Sequence, residues 1–562
     1  MAHRVAGALG APVHGREGRV GKADAFFANA LDHVRSLFAA RVPVVGVCAA
    51  GILVRAVAPL LSDKRAEPPV VAVAEDGSVV VPLLGGHRGA NRLARQIAEL
   101  LEAKAAVTTA GDIALGVALD EPPPGWRLAN PEDAKGVMAA LLSGVEARVE
   151  GELPWLPSRA PSLSLPLSGR GDASGEDVTL IATVEPVAGT ARRLVFHPQV
   201  FALGVGCARN CPAGEMAELV DRALAEAEIA PGAVAGVFSL DLKADEPAVN
   251  ALARRLGVPV RVFDAARLET EAPRLANPSD VVFAEVGCHG VAEGAALAGA
   301  GPDAVLAVAK RKSANATVAL ARAPAPIVEL PGRARGRVSL VGIGPGQAEW
   351  RTPEASRLVA EADELVGYGL YIDLLGPLAA GKPRRDFPLG GEEDRCRYAL
   401  ERAGEGIDVA LICSGDAGIY AMGALVFELL DRAPGQGGVS DAARRVEVVS
   451  APGVSALQAA AARAGAPLGH DFCAISLSDL LTPREDIVRR IRAAAEGDFV
   501  IAFYNPVSMR RRTLLAEARD MLLAHRPDDT PVLLASSLGR PEEKLVYRRL
   551  ADLQVDEVDM LT

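Results

Sequence analysis

Four short runs gather residues suited to holding a small charged ligand. They are Gly342-Ile343-Gly344-Pro345-Gly346, Ser414-Gly415-Asp416-Ala417-Gly418, Ser450-Ala451-Pro452-Gly453 and Asn505-Pro506-Val507-Ser508. Glycines let a ligand approach the backbone closely, and Asp416 adds an acceptor for hydroxyls or an amine. Read alone, Asp416 could equally be a helix cap. The first run imitates a dinucleotide fingerprint, but Gln347 stands where the pattern needs glycine, and Pro345 removes an N–H that a pyrophosphate would use. Gly376 to Lys382 imitates a phosphate-binding loop, yet Pro383 replaces the Ser or Thr that would hold magnesium, and no strand precedes it. Cys207 and Cys211 are spaced too widely for the usual zinc pair, so small buried thiols are the expectation and no metal is assigned.

A second set lies nearer the N-terminus. His87, in Gly85-Gly86-His87-Arg88-Gly89, is a candidate base. Lys243, Asp245 and Glu246, in Leu242-Lys-Ala-Asp-Glu-Pro247, offer an anion-binding group and two further bases; Arg55 and Lys64 are candidate anion binders. These roles are what the hydrolase resemblance given below implies, since water attack on an acyl centre needs a base and an oxyanion partner. The plainer alternatives are an open turn for the glycines and a helix cap for the acidic pair.

Each ligand-type loop must sit at the end of an element. Val338–Ile343, Val409–Cys413, Val446–Val449, Phe499–Tyr504 and Val532–Ala535 read as buried strands, and the first four run into the loops above. Such loops at the carboxyl ends of parallel strands are where α/β sheets bind ligands. Upstream, Val200–Val205, Val234–Leu240, Val258–Phe263 and Val281–Val286 read as strands, with a helix over Gly214–Ala227. Pro69–Pro82 reads as a hairpin turning at Asp76-Gly77, followed by a helix from Asn91 to about Leu101. Residues 151–177 are rich in Pro, Ser and Gly and read as a bridge. Residues 322–336, with three prolines, read as a linker that buries little, so the two halves should fold separately and a protease should cut there first.

Of 562 residues, 50% are hydrophobic and 23% charged, enough for several packed cores. The net charge of −11 argues against a nucleic-acid partner, which requires a basic face. The longest uncharged apolar run, Val42 to Val54, falls short of the about 20 residues that cross a bilayer. With no leader-like stretch before Arg16 and seven scattered cysteines, a cytoplasmic protein without membrane contact is expected.

GIGPG at 342–346, VGYGLY at 366–371, SGDAGIYAMG at 414–423, SAPGVSA at 450–456 and FYNPVSMRR at 503–511 occur in order. Over essentially all of 337–562 the chain thereby resembles precorrin-3B C-17-methyltransferases of the tetrapyrrole methylase fold. GILVRAVAPLLSDKR at 51–65, GGHRGAN at 85–91, LKADEP at 242–247, VAEGAAL at 291–297 and KRKSANATVA at 310–319 resemble cobalt-precorrin-5A hydrolases. The resemblance implies an α/β multidomain chain, with two small α/β domains at 1–145 and 195–322 joined by a loop-rich bridge at 146–194. A linker at 323–336 leads to a bilobal methylase domain at 337–562, its lobes about 337–448 and 449–562. It implies a fusion of two enzymes of corrin-ring construction, or a methyltransferase carrying a non-catalytic module that holds an intermediate. The implied cofactor is S-adenosylmethionine, contacted by Pro345, by Ser414, Gly415, Asp416 and Ile419, by Ser455 and Ala456, and near the adenine by Asn505 and Gly539. The implied partner is a carboxylate-rich tetrapyrrole, met by Arg510 and Arg511, with Arg384, Arg385 and Arg512 as further candidates. A homodimer is implied as well. The hydrolase part would open a lactone and release acetaldehyde. Family methylases continue past Asp559-Met-Leu-Thr562 into one more strand, so a C-terminal strand is expected to be missing.

Overall fold

The computed structural model describes residues 1–61, 67–109, 117–156, 163–164, 177–480, 482–507 and 512–562. The first unit is a four-stranded sheet ordered Val44–Val47, Val70–Val73, Val79–Leu84, Lys104–Ala105. Its central strands are fully apolar because both faces are covered. Helix Ala90–Leu101 lays Ala90, Ala94, Ile97 and Ala98 on one face, and helices Ala30–Ala39 and Ala50–Val57 contribute Leu37, Phe38 and Leu53 to the cluster on the other. The expected hairpin forms: Asp76 Oδ1 accepts from the Ser78 amide at 3.0 Å and from its hydroxyl at 2.7 Å. The apolar run from Val42 divides into a strand and a helix.

Beside this sheet, His33 is buried, stacks on Phe27 at 4.4 Å and shares a 2.8 Å hydrogen bond with His14. Burial, then the neighbouring His14, pulls His33 down to about 4 from 6.5; burial lowers His14 against the opposing pull of Asp24. The unfolded chain therefore binds protons that the folded one refuses. Stability should be complete above pH 6.5 and fall as the pH drops towards about 4. Urea midpoints across that range should show the slope, and His33→Gln should flatten it; an equal slope in both proteins would assign the acid sensitivity elsewhere.

Residues 146–194, expected as a loop-rich bridge, instead supply strands Ala147–Glu150 and Val178–Ala182 to a five-stranded sheet. Trp126–Leu128, Arg193–Pro198 and Leu163–Ser164 complete it. Leu180, Leu194 and Phe196 pack on Val137 and Leu141 of helix Ala134–Leu142. The Pro/Ser/Gly-rich composition lies between these strands, not in them, and most of it lies outside the described residues.

The next sheet is ordered Val260–Phe263, Val234–Leu240, Phe201–Cys207, Ala316–Arg322, Val305–Lys312, with its first three strands parallel. Helix Val291–Ala300 presses so closely on it that a Cβ at Gly204 would lie 2.0 Å from the Ala292 carbonyl oxygen. Val281–Val286, expected as a strand, belongs to helix Asp280–Val286. Ser279 caps its N-terminus by accepting from the Val282 amide, and Gly287 closes it in the left-handed region. Local capping overrides the β-branched composition here. Among the described residues no single helix is long and apolar enough to cross a membrane.

The proline-rich segment before the last unit is not a free tether. Ile327 and Leu330 pack on the core around Phe238 and Phe263, and Arg333 pairs with Val262 as a β-bridge. Arg335 donates to the Arg445 and Val446 carbonyls at 2.8 and 3.0 Å, and Arg333 to that of Gly404. Backbone pairing and arginine–carbonyl bonds hold this stretch despite its composition.

The last unit opens with a wholly parallel sheet ordered Arg384–Phe387, Glu364–Tyr368, Asp408–Cys413, Arg337–Gly342, Glu447–Ala451. The fifth strand carries the first lobe just past the expected boundary at 448. The second lobe pairs Phe472–Ser476 with Val500–Tyr504 in parallel and Pro531–Ser536 with Lys544–Arg549 antiparallel. One apolar cluster spans the first unit and this last one. It joins Val34, Leu37, Phe38 and Leu53 to Leu358, Ile372, Leu375 and Leu378, with helix Ala30–Ala39 resting on helix Pro353–Glu361 and on the turn Gly376–Ala379. The two halves, expected to fold separately, thus share a packed apolar cluster.

Candidate active sites

Three loops of the first lobe meet where parallel strands end. The Gly344 and Gly415 backbones pair in both directions, at 3.1 and 2.9 Å. Asp416 accepts from the Gly418 amide at 2.8 Å with one oxygen and from the Gly453 amide at 2.8 Å with the other. It thus ties the second loop to the third. The space left is minimal: a Cβ at Gly453 would lie 2.2 Å from the Gly415 carbonyl oxygen. Gly415 itself has φ +69°, and an added Cβ there would meet Ser455 Cα at 3.6 Å and the Ala456 amide at 3.9 Å, ordinary contact distances. The three loops thereby form a closely packed cradle at these strand ends. Ile419 and Tyr420 are exposed at its rim, and Pro345 is buried beneath it.

The second lobe closes on the same place. Ser455 is buried, donates its amide to the Gln458 carboxamide oxygen at 2.8 Å and shares a 2.9 Å hydrogen bond with the Tyr504 hydroxyl. That hydroxyl also accepts from the Leu457 amide at 3.0 Å. Asn505, next along, is exposed at φ +50° and donates to the Ser476 hydroxyl at 3.2 Å. Gly539 donates to Glu543 at 2.7 Å, and its neighbour Arg540 donates to the Pro345 carbonyl at 3.1 Å. Pro345, Gly415, Asp416, Ser455, Ala456, Asn505 and Gly539 are thus brought together from strand ends far apart in sequence. Sequence reasoning missed Tyr504, Arg540 and Tyr420, whose hydroxyl donates to the Ala474 carbonyl at 2.7 Å. Tyr504 and Tyr420 lay inside quoted motifs, so a search for polar tips beside the loops could have found them.

Of the arginines, Arg510 and Arg511 lie outside the described residues. Arg512 pairs with Asp556 at 2.8 Å, and Arg384 with Asp373 and Asp386 at 2.8 and 2.7 Å, which engages both structurally. Lys382 donates to the Ala360 and Ala362 carbonyls at 2.9 and 2.6 Å, closing a helix C-terminus.

A second cluster lies at the carboxyl ends of Phe201–Cys207 and Val234–Leu240. Glu246 is fully buried, and neither of its carboxylate oxygens has a hydrogen-bond partner. Arg209 approaches one of them at 3.6 Å but spends its donors on Asp245, at 2.6 Å, and on the Leu242 carbonyl, at 2.8 Å. Glu246 does not cap the following helix with its side chain. Cys207 is pushed up to about 12 by burial and then by the Glu246 charge. Lys243 contributes the opposing positive charge there. Arg55 donates to the Gly51 carbonyl. The backbone of His87 lies in the turn Gly86–Arg88, away from this cluster in the first sheet's unit, and its side chain lies outside what is described; Lys64 is also outside the described residues. Two conspicuous carboxylates prove structural. Glu293 accepts from the Ala276, Asn277 and Lys310 amides, and Glu215 holds Ser313 and Asn315. Among the described residues no group of three or more His, Cys, Asp or Glu is arranged to hold a metal ion.

Residues 337–554 match the model of the Tetrapyrrole (Corrin/Porphyrin) Methylases. A precorrin-3B C(17)-methyltransferase of Sinorhizobium sp is 44% identical over 227 residues, covering 40% of this chain and 87% of that protein. The chain belongs to the tetrapyrrole methylases. Its methylase segment is also 41% identical over 228 residues to a cobalt-factor III methyltransferase of Priestia megaterium, spanning 41% of that longer protein. A solved structure, the methyltransferase CobJ, shares 38% identity, with a TM-score of 0.37, over 40% of this chain and 91% of its own. Ahead of the methylase segment, residues 32–112 match Cobalamin synthesis G N-terminal and residues 201–321 match Cobalamin synthesis G C-terminus.

Proposed function

We propose that this is a bifunctional enzyme of corrin-ring construction. The methylase segment transfers a methyl group to C-17 of precorrin-3B with ring contraction to precorrin-4. The observation that carries this reading is the junction of the SGDAG and SAPG loops through Asp416, within a segment 44% identical to a precorrin-3B C(17)-methyltransferase. The donor set fits S-adenosylmethionine: backbone amides and carbonyls, the apolar Ile419 and an acidic clamp suit a ligand with carboxylate, ammonium and adenosyl parts. Pro345, Ser414, Gly415, Asp416, Ile419, Ser455, Ala456, Asn505 and Gly539 would hold it. Bound there, it supplies an electrophilic methyl group. The protein's part is alignment and exclusion of water: Tyr504 locks the first turn after Ser455, and Arg540 draws the second lobe onto Pro345. The tetrapyrrole carboxylates would meet Arg510 and Arg511. Pairing of two copies through the methylase segment belongs to the same reading and rests on resemblance alone.

The N-terminal half would open a lactone and release acetaldehyde. Glu246, with Lys243 and Asp245 beside it, would hold the attacking water, because a buried carboxylate without a donor seeks one. His87 lies in a turn of the first sheet's unit and would act only if the substrate reached both places. The complete burial of Glu246 favours the second reading, a module that holds an intermediate without reacting. The test is incubation of the full chain with precorrin-3B and S-adenosylmethionine, with and without cobalt, and separately with cobalt-precorrin-5A, followed by mass spectrometry. The expected results are a product heavier by one methyl group, and acetaldehyde that falls at least about a hundredfold in Glu246→Gln, in line with loss of a general base. No methylated product would overturn the first assignment; tetrapyrrole binding without acetaldehyde would leave the holding module.

A further inference from the structure

Arg395 is 3% exposed on helix Glu392–Gly404, in the first lobe. Its helix neighbours Arg397 and Arg402 pair with Glu393 and Glu364. Arg395 pairs with no carboxylate among the described residues. One terminal nitrogen donates to the Pro388 carbonyl at 3.0 Å, the other faces the Met422 sulfur at 3.3 Å, and Nε has no partner. A buried guanidinium without an anion costs several kcal/mol, and chains rarely keep one without use. Its surroundings belong to the site. Met422 belongs to the SGDAGIYAMG run, and its soft, unbranched side chain is easily displaced. Tyr371, of the VGYGLY run, is held above its ordinary range by burial, while Arg540 and Arg395 both pull the other way. Arg540 comes from the second lobe.

We propose that Arg395 forms a carboxylate subsite that takes an acidic side chain of the tetrapyrrole, the carboxylate displacing Met422. The shared chemistry is a carboxylate, and the amino-acid end of the cofactor is the other possible source. The proposal rests on the methyltransferase reading for its substrate class only.

The full chain is titrated with uroporphyrin III, a carboxylated tetrapyrrole probe, by fluorescence quenching, and with S-adenosylmethionine by calorimetry. Arg395→Met removes the charge and keeps an apolar stem. It should weaken uroporphyrin at least about tenfold, the worth of a charged hydrogen bond, and leave S-adenosylmethionine unchanged. Arg395→Lys, which keeps the charge should the Met variant misfold, should lose a smaller part of that affinity. A fall in S-adenosylmethionine affinity alone would assign the carboxylate to the cofactor and overturn the tetrapyrrole source. Unchanged binding of both ligands in a folded variant would overturn the subsite altogether. If the wild type binds uroporphyrin through Arg395 yet leaves precorrin-3B unmethylated, the subsite stands and the substrate assignment falls.

Discussion

Replacing Asp416 with alanine should lower the affinity for S-adenosylmethionine between about tenfold and a hundredfold. Asp416 is the tie between two loops whose sequences lie far apart: one oxygen holds the Gly418 amide, the other the Gly453 amide. Each is a charge-assisted bond worth about 1.5–3 kcal/mol. Removing both frees the Gly453 loop and the Ser455 turn behind it, so the cradle at Gly415 loses its far wall. Asp416→Asn should also bind weakly, because its amide group presents N–H to one of two N–H donors. The sheet beneath is untouched, so the melting temperature should move by only a few degrees. Calorimetry on the full chain decides the matter, and an affinity equal to the wild type in a folded Asp416→Ala protein would show that the clamp has no part in cofactor binding.

The second large effect concerns division of the chain. A fragment beginning near residue 333 should be markedly less stable than the same segment in the whole protein. It would expose the apolar ground on which Val34, Leu37 and Phe38 rest, including Leu375 and Leu378. At about 1.5–3 kcal/mol for each fully unburied large side chain, a few such losses approach the whole stability of a domain. Melting should fall by about 10 °C or more, with association at micromolar concentration. Phe38→Asp in the intact chain should reproduce part of the fall. Scanning calorimetry is the check. Two separate transitions in the whole chain, with the fragment melting at the temperature of the later one, would show that the shared cluster contributes nothing and that the halves are independent.

The strands were legible because their apolar runs are bounded by turn residues, a purely local property. Val234–Leu240 and the hairpin at Asp76-Gly77 appear where their patterns place them. The loops that follow the strands were legible for the same reason: Gly, Pro, Ser and Asp after a buried strand end it and turn the chain. Helix Asp280–Val286 was misread because a serine cap and a terminal glycine, short-range signals, outweighed a β-branched run. The strands at 147–150 and 178–182 were hidden by the Pro/Ser/Gly-rich stretch between them. Three matters belonged to the tertiary structure alone. That Asp416 spends both oxygens on two loops depends on which strand ends lie side by side. That Arg395 lacks the carboxylate its helix neighbours have depends on what packs over each of them. That Phe38 and Leu378 share a core depends on contacts between units some 340 residues apart, which no local pattern encodes, because burial is a property of the surface an element meets and not of its own sequence.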